Sequence, residues 1–414
     1  MYERYRINLN LHGGKRYLIP MKVMSALAEA GFSSYLAGLS SLNMYHNHQA
    51  GSCLWIETEG SLVDLSRLFE DLLFPGSAYF DAALELDESL VLFHCIEPDD
   101  NTPSLHASLQ GTFRYDIRRR VFLDPHDAYR AVRGSELVPF SDGEKCVSFP
   151  SEELPADLLR WYRAGETALL AANHGYDPEA LMRLLVEAER QGEAGSIDGP
   201  GKTGGRLTPL EQRFFLAGVL VGPHAAEGLS VLMESGFIAA HWPLLAAMNE
   251  VHHSKEHHPE GNVWKHTMET FSHRKVYDLP LSLGLLLHDC GKPFSHEENG
   301  NRFDRHAQIG SYKARRFLER MQFPPRMVDS VEFLVGNHMF PGAVSRLPVY
   351  RTEKIMASPL FPELLELYRC DISSTYRGPE GYYRACRAYR NYLKHSHNPF
   401  RTSDGKKRLR LLVE

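Results

Sequence analysis

The chain has no apolar run approaching the roughly 20 residues that a bilayer span needs, and its opening stretch MYERYRINLNLHGGKRY lacks the apolar h-region of a signal peptide. A membrane protein is therefore not expected, and a cytoplasmic location is. Cysteine is sparse: six residues, Cys53, Cys95, Cys146, Cys290, Cys370 and Cys386, with no CxxC pair. That spacing excludes a zinc knuckle or a dithiol redox motif and leaves reduced, mostly buried thiols. Charge of one sign does not dominate either. A net charge of −6 gives no global attraction to nucleic acid, although short basic runs stand at Arg118-Arg119-Arg120 and Lys406-Lys407-Arg408-Leu409-Arg410. With 43% hydrophobic and 24% charged residues, the composition excludes a disordered or fibrous chain. Its 414 residues suit about two to four domains or subdomains.

Residues 20–135 mix short β-rich runs such as SCLWIET and LVLFHCI with turn signals and a few helical patterns, which predicts an α/β region over 1–140. From about Leu154 the apolar residues recur at helical spacing and convincing strands disappear. Helices are expected over 150–190, 208–248 and 249–400, an exposed linker over 191–207 and a basic tail over 401–414. Gly201-Lys202-Thr203 in the linker invites a phosphate-loop reading. The Walker spacing needs Gly six residues before the Lys, and that position is Ser196, so the linker reading stands.

Histidine is what the chain has in excess: of 21, ten fall between His252 and His338. The strongest chemical signal is LGLLLHDCGKP, an apolar helical run that ends in His288-Asp289 and is broken by Gly291 and Pro293. Such a helix ends inside the protein. Burying an imidazole beside a carboxylate is costly unless something compensates, and a divalent metal compensates both at once. His266 lies 22 residues upstream in NVWKHTMET, and His306 in FDRHAQIGSY, His338 in VGNHMF and Asp371 in LYRCDISS follow. Each sits within or beside a helical apolar pattern, which is how a bundle brings ligands from several helices to one interior point. Imidazole mixed with carboxylate suits Mn²⁺, Fe²⁺, Co²⁺, Ni²⁺, Mg²⁺ or Zn²⁺.

The order His, His-Asp, His, His, Asp resembles the signature of the HD superfamily of metal-dependent phosphohydrolases, over roughly residues 250–380. The resemblance implies that His266, His288, Asp289 and Asp371 form a first metal site, and that Asp289 bridges to a second ion held by His306 and His338. Two ions can position a hydroxide in line with a phosphorus and neutralise its oxygens, so the implied chemistry is phosphoester hydrolysis, with Asp289 catalytic. Lys292 resembles the Lys that follows the pair in many HD proteins. It is a candidate catalytic residue and phosphate holder, and a solvated helix-end lysine is the other reading. His258 and Glu260 in HHPEGNVWKHT would bind substrate at the pocket mouth.

HHPEGNVWKHT is closer to one HD subgroup, the bacterial tRNA nucleotidyltransferases that comprise CCA-adding enzymes and poly(A) polymerase relatives. This widens the resemblance to almost the whole chain. DLLRWYRAGETALLAANHGYDPEALMRLL is similar to that family's neck, with Asp157, Arg160 and Arg163 at its D-x-x-R-x-x-R positions, and IPMKVMSALAEAGFSSYLAGLSSLNMY to the opening of its catalytic head. The implied fold class is α+β: a polymerase-β-like nucleotidyltransferase head, then an all-α neck, body and HD domain.

The head departs from the family pattern at its chemistry. Where the family has a glycine-rich turn followed by Arg-Asp, this chain places Leu42 and Asn43 at the end of Ala37-Gly38-Leu39-Ser40-Ser41-Leu42-Asn43. Where the family sets two aspartates one residue apart, so that strand alternation aims both at one pair of Mg²⁺ ions, stand Cys53 and Trp55. Glu57 and Glu59 fall later. The expectation is a phosphohydrolase that has lost nucleotidyl transfer and acts on nucleotide or RNA-end phosphoesters, 2′,3′-cyclic or monoester, using one or two divalent ions. The alternative is a tRNA nucleotidyltransferase or poly(A) polymerase-like protein that binds RNA, its head active or serving as a scaffold.

Overall fold

The structure is a computed structural model and describes residues 18–45, 53–86, 89–96, 114–123, 156–175, 205–251, 261–295, 303, 305–347, 349–375 and 378–395. It divides into two compact units, Met1–His241 and Trp242–Glu414.

The first unit is built on a mixed sheet. Its strands are β1 (Ser34–Ala37), β2 (Cys53–Thr58), β3 (Leu72–Leu73), β4 (Ala82–Leu86), β5 (Ser89–Cys95), β6 (Arg114–Asp116) and β7 (Val121–Leu123), ordered β3-β4-β5-β2-β1-β6-β7. Only β2 and β5 pair in parallel, Trp55 opposite Leu92 and Glu57 opposite His94. Strand alternation divides the side chains between two faces. Leu36, Leu54, Ile56, Val91 and Phe93 go to one face, where they pack with Val23 and Leu27 of α1 (Leu18–Ala30) and Leu65 of α3 (Leu62–Leu68). α3 starts at a capping box, the Ser61 hydroxyl accepting from the Asp64 N–H while the Asp64 carboxylate takes the Ser61 N–H. Between β1 and β2 lies α2 (Gly38–Tyr45), opened by Gly38 at a φ of 55° that favours glycine.

Cys53, Trp55 and Glu57 alternate onto the other face, which is covered by α4 (Ala156–His174) and α5 (Pro209–Leu220). Aromatic rings fill this layer. Trp55 lies 4.8 Å from Tyr79 and 6.1 Å from Phe214 of α5, and Tyr79 stacks at 4.6 Å on Tyr162 of α4. Such pairs contribute about 0.5–1.5 kcal/mol each beyond area burial. Two buried carboxylates tie the layers together: Glu166 accepts from the Tyr79 hydroxyl at 2.7 Å, and Glu211 accepts from the Tyr162 hydroxyl at 2.6 Å. α6 (Ala225–Glu234) and the short α7 (Phe237–His241) complete the unit. A Cβ on Gly228 would strike the carbonyl oxygen of Ala168, so only glycine lets α6 approach α4 this closely.

The second unit is helical: α8 (Pro243–Asn249), α9 (Val263–Ser272), α10 (Leu279–Leu287), α11 (His306–Arg320), α12 (Pro325–Asn337), α13 (Phe340–Ala343), α14 (Val349–Met356), α15 (Phe361–Ser373) and α16 (Glu380–His395). α10 is apolar all round, as a helix buried on every side must be. Asp278 caps it by accepting from the Leu281 N–H, and Ser282 is satisfied by donating to the Asp278 carbonyl at 2.6 Å and accepting from Arg274 at 2.7 Å. All regular elements described after Leu123 are helices, so the fold is α+β with a sheet-bearing head and a helical remainder. The units part between His241 and Trp242, which places α8 with the second unit. Most of the expected linker and all of the basic tail lie outside the described residues, as do His258 and Glu260. No helix among the described residues is long and apolar enough to cross a membrane.

Candidate metal centre

Five helices of the second unit deliver the six predicted ligands to one buried point. His266 comes from the middle of α9. His288 closes the C-terminus of α10, followed by Asp289, and His338 closes α12 in the same way. His306 opens α11, and Asp371 lies in the last turn of α15. The turn before His306 holds Phe303 and Arg305 at φ values of 67° and 55°, a left-handed conformation costly for residues with a Cβ. It presents the Phe303 carbonyl to the His306 ring.

Each imidazole is oriented through Nδ1. His288, His306 and His338 donate from Nδ1 to the carbonyls of Leu285, Phe303 and Val335 at 2.7, 2.9 and 2.8 Å, and His266 Nδ1 lies 3.3 Å from the Ser374 hydroxyl. These contacts select the tautomer with a lone pair on Nε2 for the first three rings and aim it at the centre. Asp289 stands between two groups. Its Oδ2 lies 3.3 Å from His288 Nε2 and 4.0 Å from His266 Nε2, whereas its Oδ1 lies 3.5 Å from His306 Nε2 and 3.8 Å from His338 Nε2. Asp371 Oδ1 adds to the first group, 3.1 Å from His266 and 3.9 Å from His288. Five of the six side chains therefore form two triads with Asp289 common to both, and Asp371 flanks the first.

The donor set fits divalent cations. With Nδ1–H committed, His288 Nε2 is a buried lone pair with no hydrogen-bond partner among the described residues, and the Nε2 atoms of His306 and His338 face each other at 3.2 Å. A cation held in common turns both conflicts into bonds. The electrostatics keep the ligands in binding form. Burial alone would raise the Asp289 carboxyl, but Lys292 and the imidazoles of His288 and His306 hold it well below the usual carboxylate range. Burial likewise opposes ionisation of Asp371, and the hydrogen bond with His266 overcomes it and holds the carboxyl below its usual range. Burial pushes His338 down to about 4, so its ring is neutral at physiological pH.

Residues 263–372 match the HD domain family. The six candidate ligands lie within that span. The chain also resembles tRNA nucleotidyltransferases. It is 34% identical over 177 residues to a CC-adding tRNA nucleotidyltransferase of Thermus thermophilus, a match covering 40% of this chain and 39% of that protein. It is 30% identical over 241 residues to a multifunctional CCA protein of Halorhodospira halophila, covering 56% and 55%. The chain thus spans about half or less of the length of these curated relatives. Among solved structures, a tRNA-processing enzyme in its apo form I aligns over 95% of this chain and 94% of its own, at 12% identity and a TM-score of 0.42.

These relatives correct one expectation. The substituted head predicts a hydrolase in place of a transferase, whereas the Thermus thermophilus relative is by name a nucleotidyltransferase, a transferase. Loss of nucleotidyl transfer does not follow from the residues at positions 42, 43, 53 and 55 alone. At those positions the head is nonetheless packed: Leu42 and Trp55 are buried, and Asn43 and Cys53 line a small cleft with Ser40, Leu169 and Phe214. Glu57 is fully buried and its Oε2 sits 2.8 Å from Arg114 Nε, an ion pair across the sheet.

Lys292 is not a solvated helix-end lysine. It is buried, and its Nζ lies 2.6 Å from Asp289 Oδ2. Ser374 and the three carbonyls that orient the imidazoles went unrecognised in the sequence. A signal was present for Leu285, Val335 and Ser374, which lie one helical turn from His288, His338 and Asp371, but not for Phe303, whose turn is left-handed.

Proposed function

We propose that this chain is a tRNA nucleotidyltransferase-like protein that binds the 3′-terminal region of tRNA. The observation that carries this reading is the match at 34% identity to the CC-adding enzyme. It is tested by electrophoretic mobility shift with full-length protein: tRNA is expected to be retained at concentrations where duplex DNA of equal length is not. Equal retention of both would contradict the reading. Incorporation of label from CTP or ATP onto tRNA, lost in a Glu59→Ala variant that keeps the wild-type melting temperature, would locate transfer chemistry in the head.

The six converging side chains favour a second reading for the HD domain, a centre for two divalent ions of the Mn²⁺, Ni²⁺, Co²⁺, Fe²⁺ or Mg²⁺ class that acts on a phosphoester of a nucleotide or RNA end. His266, His288, Asp289 and Asp371 would hold one ion and Asp289, His306 and His338 the other. Bound there, such ions supply Lewis acidity toward water and toward phosphoryl oxygens. The chain's own residues supply the rest. Carbonyls one turn upstream fix three imidazoles with Nε2 inward, and Lys292 keeps Asp289 ionised while occupying one side of Oδ2. Burial of both triads excludes bulk water from the ligand atoms.

A further inference from the structure

α16, the last helix of the second unit, presents two faces of different chemistry. On one, Ala385 is fully buried and Tyr389 packs on Phe361 of α15 with ring centroids 4.7 Å apart. On the other, Tyr383, Arg387, Arg390 and Lys394 follow one another at intervals of four, three and four residues. At 100° per residue these four fall within about 60° of arc, and they span about 16 Å along the axis. All four are exposed, Tyr383 by 59%. Among the described residues, none of the three cations pairs with a carboxylate. Two other arginines of the unit are neutralised, Arg315 by Glu319, Asp329 and Glu332, and Arg369 by Glu366.

Unneutralised cations along one helical line, with an exposed ring at its end, are complementary to a polyanion that carries stackable bases. The sequence around them agrees. From Glu380 to Glu414 there are nine Lys and Arg against three Asp and Glu, in a chain whose net charge is −6. We propose that the outer stripe of α16 is an RNA-docking surface, in which Arg387, Arg390 and Lys394 contact successive backbone phosphates and Tyr383 stacks on an unpaired base. The proposal rests on the tRNA-binding reading above and assigns it a surface.

The test is tRNA binding by the full chain between roughly 50 and 200 mM KCl. In wild type, affinity should fall with salt. The triple variant R387A/R390A/K394A should bind on the order of tenfold more weakly at the middle of that range and lower the slope of log affinity against log salt by about two to three. Tyr383→Ala should weaken binding and leave the slope unchanged. The charge-preserving variant R387K/R390K/K394R should keep the wild-type slope, which separates lost contacts from lost folding. A wild type that binds tRNA together with a triple variant of wild-type slope and melting temperature overturns the surface alone. A wild type that binds no tRNA overturns the reading beneath it. Retention on phosphatidylserine vesicles with no retention of tRNA would likewise overturn the assignment to RNA.

Discussion

Asp289 turns its two carboxylate oxygens to different neighbours, Oδ2 to His266, His288 and Lys292, Oδ1 to His306 and His338. Lys292 is the one permanent cation in this set, and both partners of the pair are almost fully buried. Removing one partner of a buried pair typically costs about 3–5 kcal/mol, because the other charge stays buried and uncompensated. Lys292→Met is therefore expected to lower the melting temperature of chelator-treated protein strongly and that of Mn²⁺-loaded protein much less, since the ions take over the charge of Lys292. Equal losses in both states would refute this role.

In the first unit, the buried His241 titrates below its usual range. Burial pushes it down to about 4, with Arg206 acting in the same direction and the Phe237 carbonyl against it. Its Nδ1 lies 3.2 Å from that carbonyl and its Nε2 accepts from the Leu207 N–H at 3.4 Å, an arrangement that only the neutral ring satisfies. The unfolded chain takes up this proton near 6.5 and the folded chain near 4, so the folded state binds fewer protons between the two values. The contribution of His241 is fully present above pH 6.5 and is lost as pH falls toward 4. The gap in melting temperature between wild type and His241→Phe should narrow from pH 7 to pH 4.5. A gap that stays constant would show that the ring does not titrate as described.

At the level of elements, the centre depends on how the end of α10 meets the start of α11. A Cβ on Gly291 would collide with the backbone carbonyl of His306 and crowd the N–H of Gly310. Backbone cannot step aside as a flexible side chain can, so Gly291→Ala should displace α11 and cost about 1–3 kcal/mol. The displacement acts on His306 and not on His266 or His288. The variant is expected to keep the ion of the first triad and lose that of the second, read as a drop from two Mn²⁺ to one per chain by elemental analysis. Retention of two ions would show that the junction tolerates the methyl group. This junction was half legible in the sequence. Gly291 and Pro293 marked the end of α10, but the close approach to α11 is a long-range contact that local pattern does not carry. The left-handed turn at Phe303 and Arg305 was likewise invisible, because neither residue type favours it.

Across the whole molecule, the change from strand to helix period predicted the α+β order, and the spacing of His266, His288, Asp289, His306, His338 and Asp371 predicted their convergence. Both signals are periodic and local, and the burial of each ligand forces it toward neighbours of the same kind. Less legible were features set by three-dimensional packing. The contact of Lys292, a candidate phosphate holder, with Asp289 is one of these. Trp55 stood out as a lost aspartate position, and its packing on Tyr79 and Phe214 could not be read from an interval of more than 150 residues to Phe214. The parting of the units between His241 and Trp242 left no mark in composition, for apolar helices run on both sides of it.

Asp289 as the residue shared by two metal positions is tested most directly by Mn²⁺ titration calorimetry with elemental analysis. Wild type is expected to bind two ions per chain, the double variant His306→Ala, His338→Ala one, and Asp289→Ala none with comparable affinity, each protein keeping its helical circular dichroism. A wild type that binds no Mn²⁺, Ni²⁺ or Co²⁺, or an Asp289→Ala variant that binds as wild type does, would contradict it.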